Sequence, residues 1–264
     1  IATLKNCLIN EKKCSGRVDE LEKILFKSPS DGNIGIGHVR WATHGVPSIL
    51  NAHPHSSENV SVVHNGIIEN SDELKMELES KGLKFKSQTD TEVITLLITE
   101  ALNNNEPLES VFKTLNKLKG SFALGIIFKD FSDIIIGARR GSPLAVGYSN
   151  NENYLGSDSY ALKSMTNKIS YLDDGEFCII KKDQIDFFKN DGSKINKKIM
   201  NLSNNEINYD KGDYKYFMEK EIAEQPSTID DCINEYVDKH NKQINIYNFP
   251  WNTNSFKSVI IIGC

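Results

Sequence analysis

The sequence predicts an α+β fold in which strand-rich stretches bracket a run of helices, rather than a regular alternation of strand and helix. Three observations carry this. Alternating apolar runs such as NIGIGHV (33–39) and NVSVVHNG (59–66) precede the helices. Three helical patterns then follow one another within residues 70–120. Finally, residues 121–188 carry the β-rich runs SFALGIIF, DIIIGAR, LAVGY, YLGSD, GEFCII and DQIDFF in series.

Taken in order, IATLKNCLI reads as a strand and RVDELEKILFK as a helix with Val18, Leu21, Ile24 and Leu25 on one face. NIGIGHVRW (33–41) reads as a strand that ends where Pro47 turns the chain. NVSVVHNG reads as a strand closed by an Asn-Gly turn. NSDELKMELESKG takes Ser71 as N-cap and Gly82 near its C-terminal cap. TDTEVITLLITEALNN is the stronger helix, with Thr89 and Glu92 at capping-box spacing. PLESVFKTLNKLKG opens on Pro107 and closes on Gly120. From about residue 201 the chain turns polar and is broken by Pro226 and Pro250, a linker with short helical pieces, before FKSVIIIGC (256–264) starts a new strand.

A length of 264 residues suffices for one large domain or two modest ones. The net charge of -5 and the lack of a basic stripe argue against nucleic acid as a partner. No apolar run is long enough to cross a bilayer, and the first residues lack a signal-peptide pattern, so no membrane partner is expected. The cysteines (Cys7, Cys14, Cys178, Cys232, Cys264) are scattered, odd in number and without a CxxC pair, which suits a reducing compartment.

The chemistry concentrates in GHVRWATHG (37–45). Arg40 offers a planar fork for a carboxylate, and it stands beside Trp41, Thr43 and His44. A lone arginine is more often a surface salt bridge, and a lone tryptophan more often core. Asn65 and Gly66 can be an ordinary turn, or an amide and a backbone N–H that converge on one oxygen as an oxyanion hole does. Asp90 either complements its helix N-terminus or grips an ammonium group. Arg40 and Asp90 together would read the two charges of an amino acid. His38, His44, His53, His55 and His64 raise the question of zinc. No HExxH helix or neighbouring cysteine supports it, and an extended His53-Pro54-His55 would send its rings apart. None of the cysteines has a flanking base or a Gly-rich elbow, so the candidate site has binding groups and no attacker.

The motifs GHVRWATHG, NAHPH, VVHNGIIEN, TDTEV, GSPLAVG and MEKEIAEQP, in this order, resemble the glutaminase domain of the glutamine–fructose-6-phosphate aminotransferase family. The first four are shared in looser form by class II glutamine amidotransferases; the last two point to this branch. The resemblance implies the four-layer αββα sandwich of the N-terminal-nucleophile hydrolases. It implies a nucleophilic cysteine at the mature N-terminus, upstream of Ile1, so that the chain alone is expected not to hydrolyse glutamine. Arg40 would hold the α-carboxylate of glutamine with Thr43 and His44 beside it, and Asp90 the α-ammonium. The Asn65 side chain and Gly66 N–H would form the oxyanion hole, Trp41 would gate ammonia, and His53 would be a structural hydrogen-bonding residue. No cofactor or metal is implied. Residues 1–200 would be the glutaminase domain, 201–255 a linker, and 256–264 the first strand of a sugar-isomerase domain. Ammonia would convert fructose 6-phosphate to glucosamine 6-phosphate in a cytoplasmic homodimer whose sugar-binding parts lie outside this chain. Val39 and Val46 depart from the threonine and the acid common at their places in the family's motif. Another class II amidotransferase, or a non-catalytic glutamine-binding module, are the competing readings.

Overall fold

The computed structural model describes residues 1–202, 211–238, 241, 243–244, 257–258 and 260. They form two compact units, Ile1–Asn204 and Asn205–Cys264. In the first, the order is β1 (Ala2–Lys5), β2 (Leu8–Glu11), α1 (Val18–Lys27), β3 (Ile34–Ile36), β4 (His55–Ser56) and β5 (Val60–Ile68). Helices α2 (Ser71–Ser80), α3 (Asp90–Ala101) and α4 (Pro107–Lys117) follow. Then come β6 (Gly120–Phe128), β7 (Phe131–Arg140), β8 (Ala145–Tyr148), β9 (Asn153–Gly156) and the single turn α5 (Ser159–Leu162). The unit closes with β10 (Lys168–Tyr171), β11 (Glu176–Ile180), β12 (Ile185–Lys189), β13 (Lys194–Ile195) and β14 (Met200–Asn201).

The main sheet is antiparallel with order β13-β12-β11-β7-β6-β5-β4. Period-two alternation explains both of its faces. In β6, Phe122, Leu124, Ile126 and Phe128 point one way, onto Leu74 and Leu78 of α2, Val93, Ile94, Leu97 and Ile98 of α3, and Val111 and Leu115 of α4. Ala123 and Ile127 point the other way, into a second β layer. Each of the larger side chains among these, removed fully from water, contributes roughly 1.5–3 kcal/mol, so this double-sided core holds the unit together.

The second layer is made of two pieces, β2-β1-β3 and β14-β10-β8-β9. Ala2, Leu4 and Ile36 of the first pack on Ile127, and Leu144, Val146 and Leu172 around the second pack on Ala123 and Cys178. Outside it, Leu162 of α5 packs on Ala145 and Ile169. The result is the expected α/β/β/α sandwich, with a thin outer layer; α1 buries none of its side chains.

Several local expectations change. The 33–41 strand is regular only over Ile34–Ile36. Asn65-Gly66 is no hairpin turn: β5 runs on through it to Ile68, pairing Asn65 with Ala123 and Gly66 with Phe122. The local turn preference is overridden because the partner strand continues. Asn70, not Ser71, precedes α2. Thr89 precedes α3 without a capping bond; instead Glu92 accepts the amides of Lys86 and Ser87 at 2.9 and 2.6 Å. In the second unit, α6 (Phe217–Tyr236) is one helix of 20 residues with Pro226 inside it, where short pieces are expected. A small hairpin of β15 (Val237–Asp238) and β16 (Gln243–Ile244) follows. The strand expected over 256–264 falls largely outside the described residues. No helix among the described residues is long and apolar enough to cross a membrane.

Candidate active site

The alternation of β5 also builds the site. Even-numbered residues face the helices, so His64 turns toward α3 and its Nδ1 meets Thr91 Oγ1 at 3.0 Å. Odd-numbered residues face the second layer, so Asn65 turns there, and its Nδ2 donates to Ser157 Oγ at 3.2 Å, just past β9. Gly66 has φ 136°. A Cβ there would lie 2.2 Å from the Ser121 carbonyl oxygen, so only glycine lets the strand pass here.

The N-terminus of α3 supplies Asp90, which is 7% exposed. Its Oδ2 accepts the Ile68 amide at 2.8 Å, which anchors the carboxylate to the end of β5. The chain leaving β3 brings His38, Arg40, Trp41, Thr43 and His44 to the same place. Together with Asn65, Gly66 and Asp90 they line one cavity of about 320 Å³, along with His53, His64, Ile67, Thr89, Thr91 and Ser121. Arg40 does not present a free fork. Its Nη2 donates to the carbonyls of His44 and Gly45, and its Nη1 to that of Val46 at 3.3 Å, so it curls the 44–46 turn about itself. Gly45 takes φ 73° in that turn, against Asn51 and Gln88. His44 Nδ1 lies 3.2 Å from Thr43 Oγ1.

The histidines form a network beneath the cavity. The His53–Pro54 bond is cis, and the His53 and His55 rings meet at 5.1 Å instead of pointing apart. His53 Nε2 meets Thr91 Oγ1 at 3.1 Å, and His55 Nε2 meets Thr89 Oγ1 at 2.9 Å. Burial pushes His55 down to about 3, with Lys13 adding to it. Burial and the neighbouring histidines hold His53 far below the ordinary imidazole value. Burial also lowers His64, against the opposing pull of Asp90. These rings are neutral at pH 7, and a single proton pattern satisfies most of them. His64 Nε2–H points at the Ser121 carbonyl (3.5 Å), leaving Nδ1 to accept from Thr91 and Thr91 to accept from His53 Nε2–H. Among the described residues, no three His, Cys, Asp or Glu side chains converge as a metal site.

A profile of the glutamine amidotransferase domain family matches residues 38–164, the stretch that supplies every residue of this cavity. The glutamine–fructose-6-phosphate aminotransferase (isomerizing) of Mesorhizobium japonicum is 46% identical over 239 residues, 90% of this chain and 39% of that protein. That of Bradyrhizobium diazoefficiens is 41% identical over 266 residues, covering 100% of this chain and 44% of that protein. Residues 38–164 are a glutamine amidotransferase domain.

The amidotransferase domain is homologous to the glutaminase part of those relatives, and the chain spans about two fifths of their length. Among solved structures, the glutamine phosphoribosylpyrophosphate amidotransferase of B. subtilis, complexed with ADP and GMP, superposes with a TM-score of 0.62 at 25% identity, over 72% of this chain and 42% of that one. The shared fold is the N-terminal-nucleophile sandwich described above.

No described cysteine of the amidotransferase domain lines the 320 Å³ cavity. Cys7 is exposed and Cys178 buried, its thiol pushed up to about 12 by burial. Cys14 lines an adjoining cavity of about 630 Å³ that shares His38, Arg40, Trp41 and His53 with the first. Sequence reasoning missed Ser157, Ser121, Thr89 and Thr91 as parts of the site. Thr91 was visible only as the first of three threonines, with Thr95 and Thr99, at helical spacing along one face of α3; Ser157 carried no signal, because only the fold brings it to Asn65.

Proposed function

We propose that the cavity binds L-glutamine and that this chain is the glutaminase part of an enzyme that transfers ammonia to fructose 6-phosphate, forming glucosamine 6-phosphate. The observation that carries the reading is the convergence of a guanidinium, a buried carboxylate and an Asn–Gly donor pair on one cavity of amino-acid size. Asp90 keeps one carboxylate oxygen free while the other holds Ile68, and that oxygen receives the α-ammonium. The Arg40 N–H groups not engaged in the turn, on Nε and Nη1, do not share an edge. A two-pronged grip on the α-carboxylate therefore displaces a loop carbonyl from Nη2, which couples binding to the 44–46 turn. Thr43 and His44 lie in that turn.

With the α-carbon end so fixed, the side-chain carbonyl is placed against Asn65 Nδ2 and the Gly66 N–H. These stabilise the negative charge that develops on the oxygen when a thiolate attacks, a contribution worth about 2.7–4 kcal/mol per donor. The attacking cysteine comes from outside residues 1–264, in keeping with the cysteine-free cavity wall. The C–N bond breaks as the leaving nitrogen takes a proton, ammonia departs, and water opens the thioester to glutamate. Trp41, 85% exposed and shared by both cavities, stands where ammonia leaves and acts as its gate.

The test is competition by two truncated analogues against glutamine. 4-Aminobutanamide lacks the α-carboxylate and glutaramic acid lacks the α-ammonium. Both should bind at least about tenfold more weakly than glutamine, since each forfeits a charged hydrogen bond worth roughly 1.5–3 kcal/mol. In R40A the penalty for 4-aminobutanamide should vanish while that for glutaramic acid remains. Equal affinity of all three ligands for the wild-type protein would refute the assignment.

A further inference from the structure

We infer that His38 is a positioning residue for the oxyanion hole, fixing the Asn65 amide by donating to its carbonyl oxygen; the inference rests on the glutaminase reading above. His38 Nε2 lies 2.7 Å from Asn65 Oδ1. An amide oxygen only accepts, so this contact requires a proton on Nε2. With the amide oriented as it stands in the structure, Oδ1 is held by His38 and Nδ2 carries its two hydrogens. One of these goes to Ser157 Oγ at 3.2 Å. The other is free to face the cavity, where the substrate oxygen arrives.

The ring that performs this task is itself held. It stacks on His53 with centroids 4.2 Å apart and planes tilted by 37°. His53 in turn is tied through Thr91 to His64. The Nδ1 atoms of His38 and His53 are buried and without a hydrogen-bond partner. Both rings thus keep their protons on Nε2, the side that faces Asn65 and Thr91 respectively. Burial lowers the His38 pKa, opposed by its contact with Asn65 and by the His64 backbone, while Arg40 nearby adds to the lowering. The ring is therefore neutral at pH 7, and its 2.7 Å contact with Asn65 Oδ1 places the proton on Nε2.

The physical consequence is twofold. Donation into the amide oxygen draws electron density from nitrogen and strengthens the remaining Nδ2–H as a donor. Pinning the side chain at both ends also removes the reorganisation an unrestrained asparagine would undergo as charge develops. Preorganisation of this kind acts on the transition state more than on bound substrate, so its loss should appear in kcat rather than KM.

The experiment is a double-mutant cycle on glutamine hydrolysis, without sugar acceptor, in the full-length protein carrying this chain. H38A should lower kcat on the order of tenfold to a hundredfold, part of the roughly 10²–10³-fold that loss of an oxyanion donor costs, with KM within about threefold of wild type. H38Q, whose amide can still donate toward Oδ1, should recover at least part of the loss. H38A in the N65A background should cost almost nothing more, because the two residues act as one unit. Ring ¹⁵N chemical shifts of the wild-type protein should show His38 protonated at Nε2 and bare at Nδ1. The inference is overturned if H38A and N65A multiply their effects, if KM alone changes, or if the His38 proton resides on Nδ1. Those results leave the glutaminase reading intact as long as N65A alone is impaired. If N65A is unimpaired as well, it is the glutaminase reading that fails.

Discussion

Lowering the pH from 7.5 to 5 should destabilise the first unit steeply, and the buried histidines set the magnitude. His55 is 4% exposed and His53 8%. The ordinary imidazole value is 6.5, and burial takes His55 to about 3. With the folded value lowered, the unfolded chain takes up the proton first as the pH falls. Stability is complete above about 6.5 and is lost progressively towards 3, at about 1.4 kcal/mol per pH unit for each such histidine. His53 shifts further in the same direction. The pair together gives roughly 3 kcal/mol between pH 6.5 and 5, the slope reaching its full value only below about pH 6. That is a large part of the roughly 5–15 kcal/mol available to a domain. The carboxylates with lowered values, Glu77, Asp173, Asp186 and Asp191, start from 4.5 or 3.8 and act below this window. Urea unfolding followed by far-UV circular dichroism at pH 7.5, 6.5, 5.5 and 5.0 reads the slope directly. A stability that is flat from 7.5 to 5.0 would show that these rings are not buried neutral, and the network beneath the cavity would have to be redrawn.

Other consequences can be checked alongside. G66A places a Cβ 2.2 Å from the Ser121 carbonyl and should cost at least about 2–3 kcal/mol in urea unfolding by parting β5 from β6. D90N keeps an oxygen for the Ile68 amide but loses the charge, so the melting temperature should move little while the KM for glutamine rises about 10–100-fold. Cys178, buried and held protonated, should resist iodoacetamide at pH 8 in the folded protein, whereas the exposed Cys7 and Cys232 should be alkylated, as mass mapping would show.

Much of the architecture was legible because single periods dominate it. The apolar alternation of SFALGIIF becomes β6 with both faces buried, and TDTEVITLLITEALNN becomes α3, which seats Asp90 at its first turn. The gathering of Arg40, Asn65, Gly66 and Asp90 was suggested by residue chemistry, and the fold brings all of them to one cavity. What escaped the sequence was set by tertiary pairing. Asn-Gly favours a turn locally, yet nine register pairs with β6 carry the strand through it. The meeting of the His53 and His55 rings depends on the path of the 53–55 segment, which residue spacing cannot show. The engagement of Arg40 by its own turn depends on the path of residues 44–46, and the Asn65–Ser157 bond spans 92 positions of chain.

The most direct measurement is the rate of glutamine hydrolysis without sugar acceptor, wild type against N65A, in the full-length protein carrying this chain. The geometry predicts a kcat lower by about 10²–10³-fold with KM nearly unchanged, because Asn65 meets the substrate oxygen only as charge develops on it. An N65A enzyme with undiminished kcat would contradict the assignment of this cavity as the seat of the reaction.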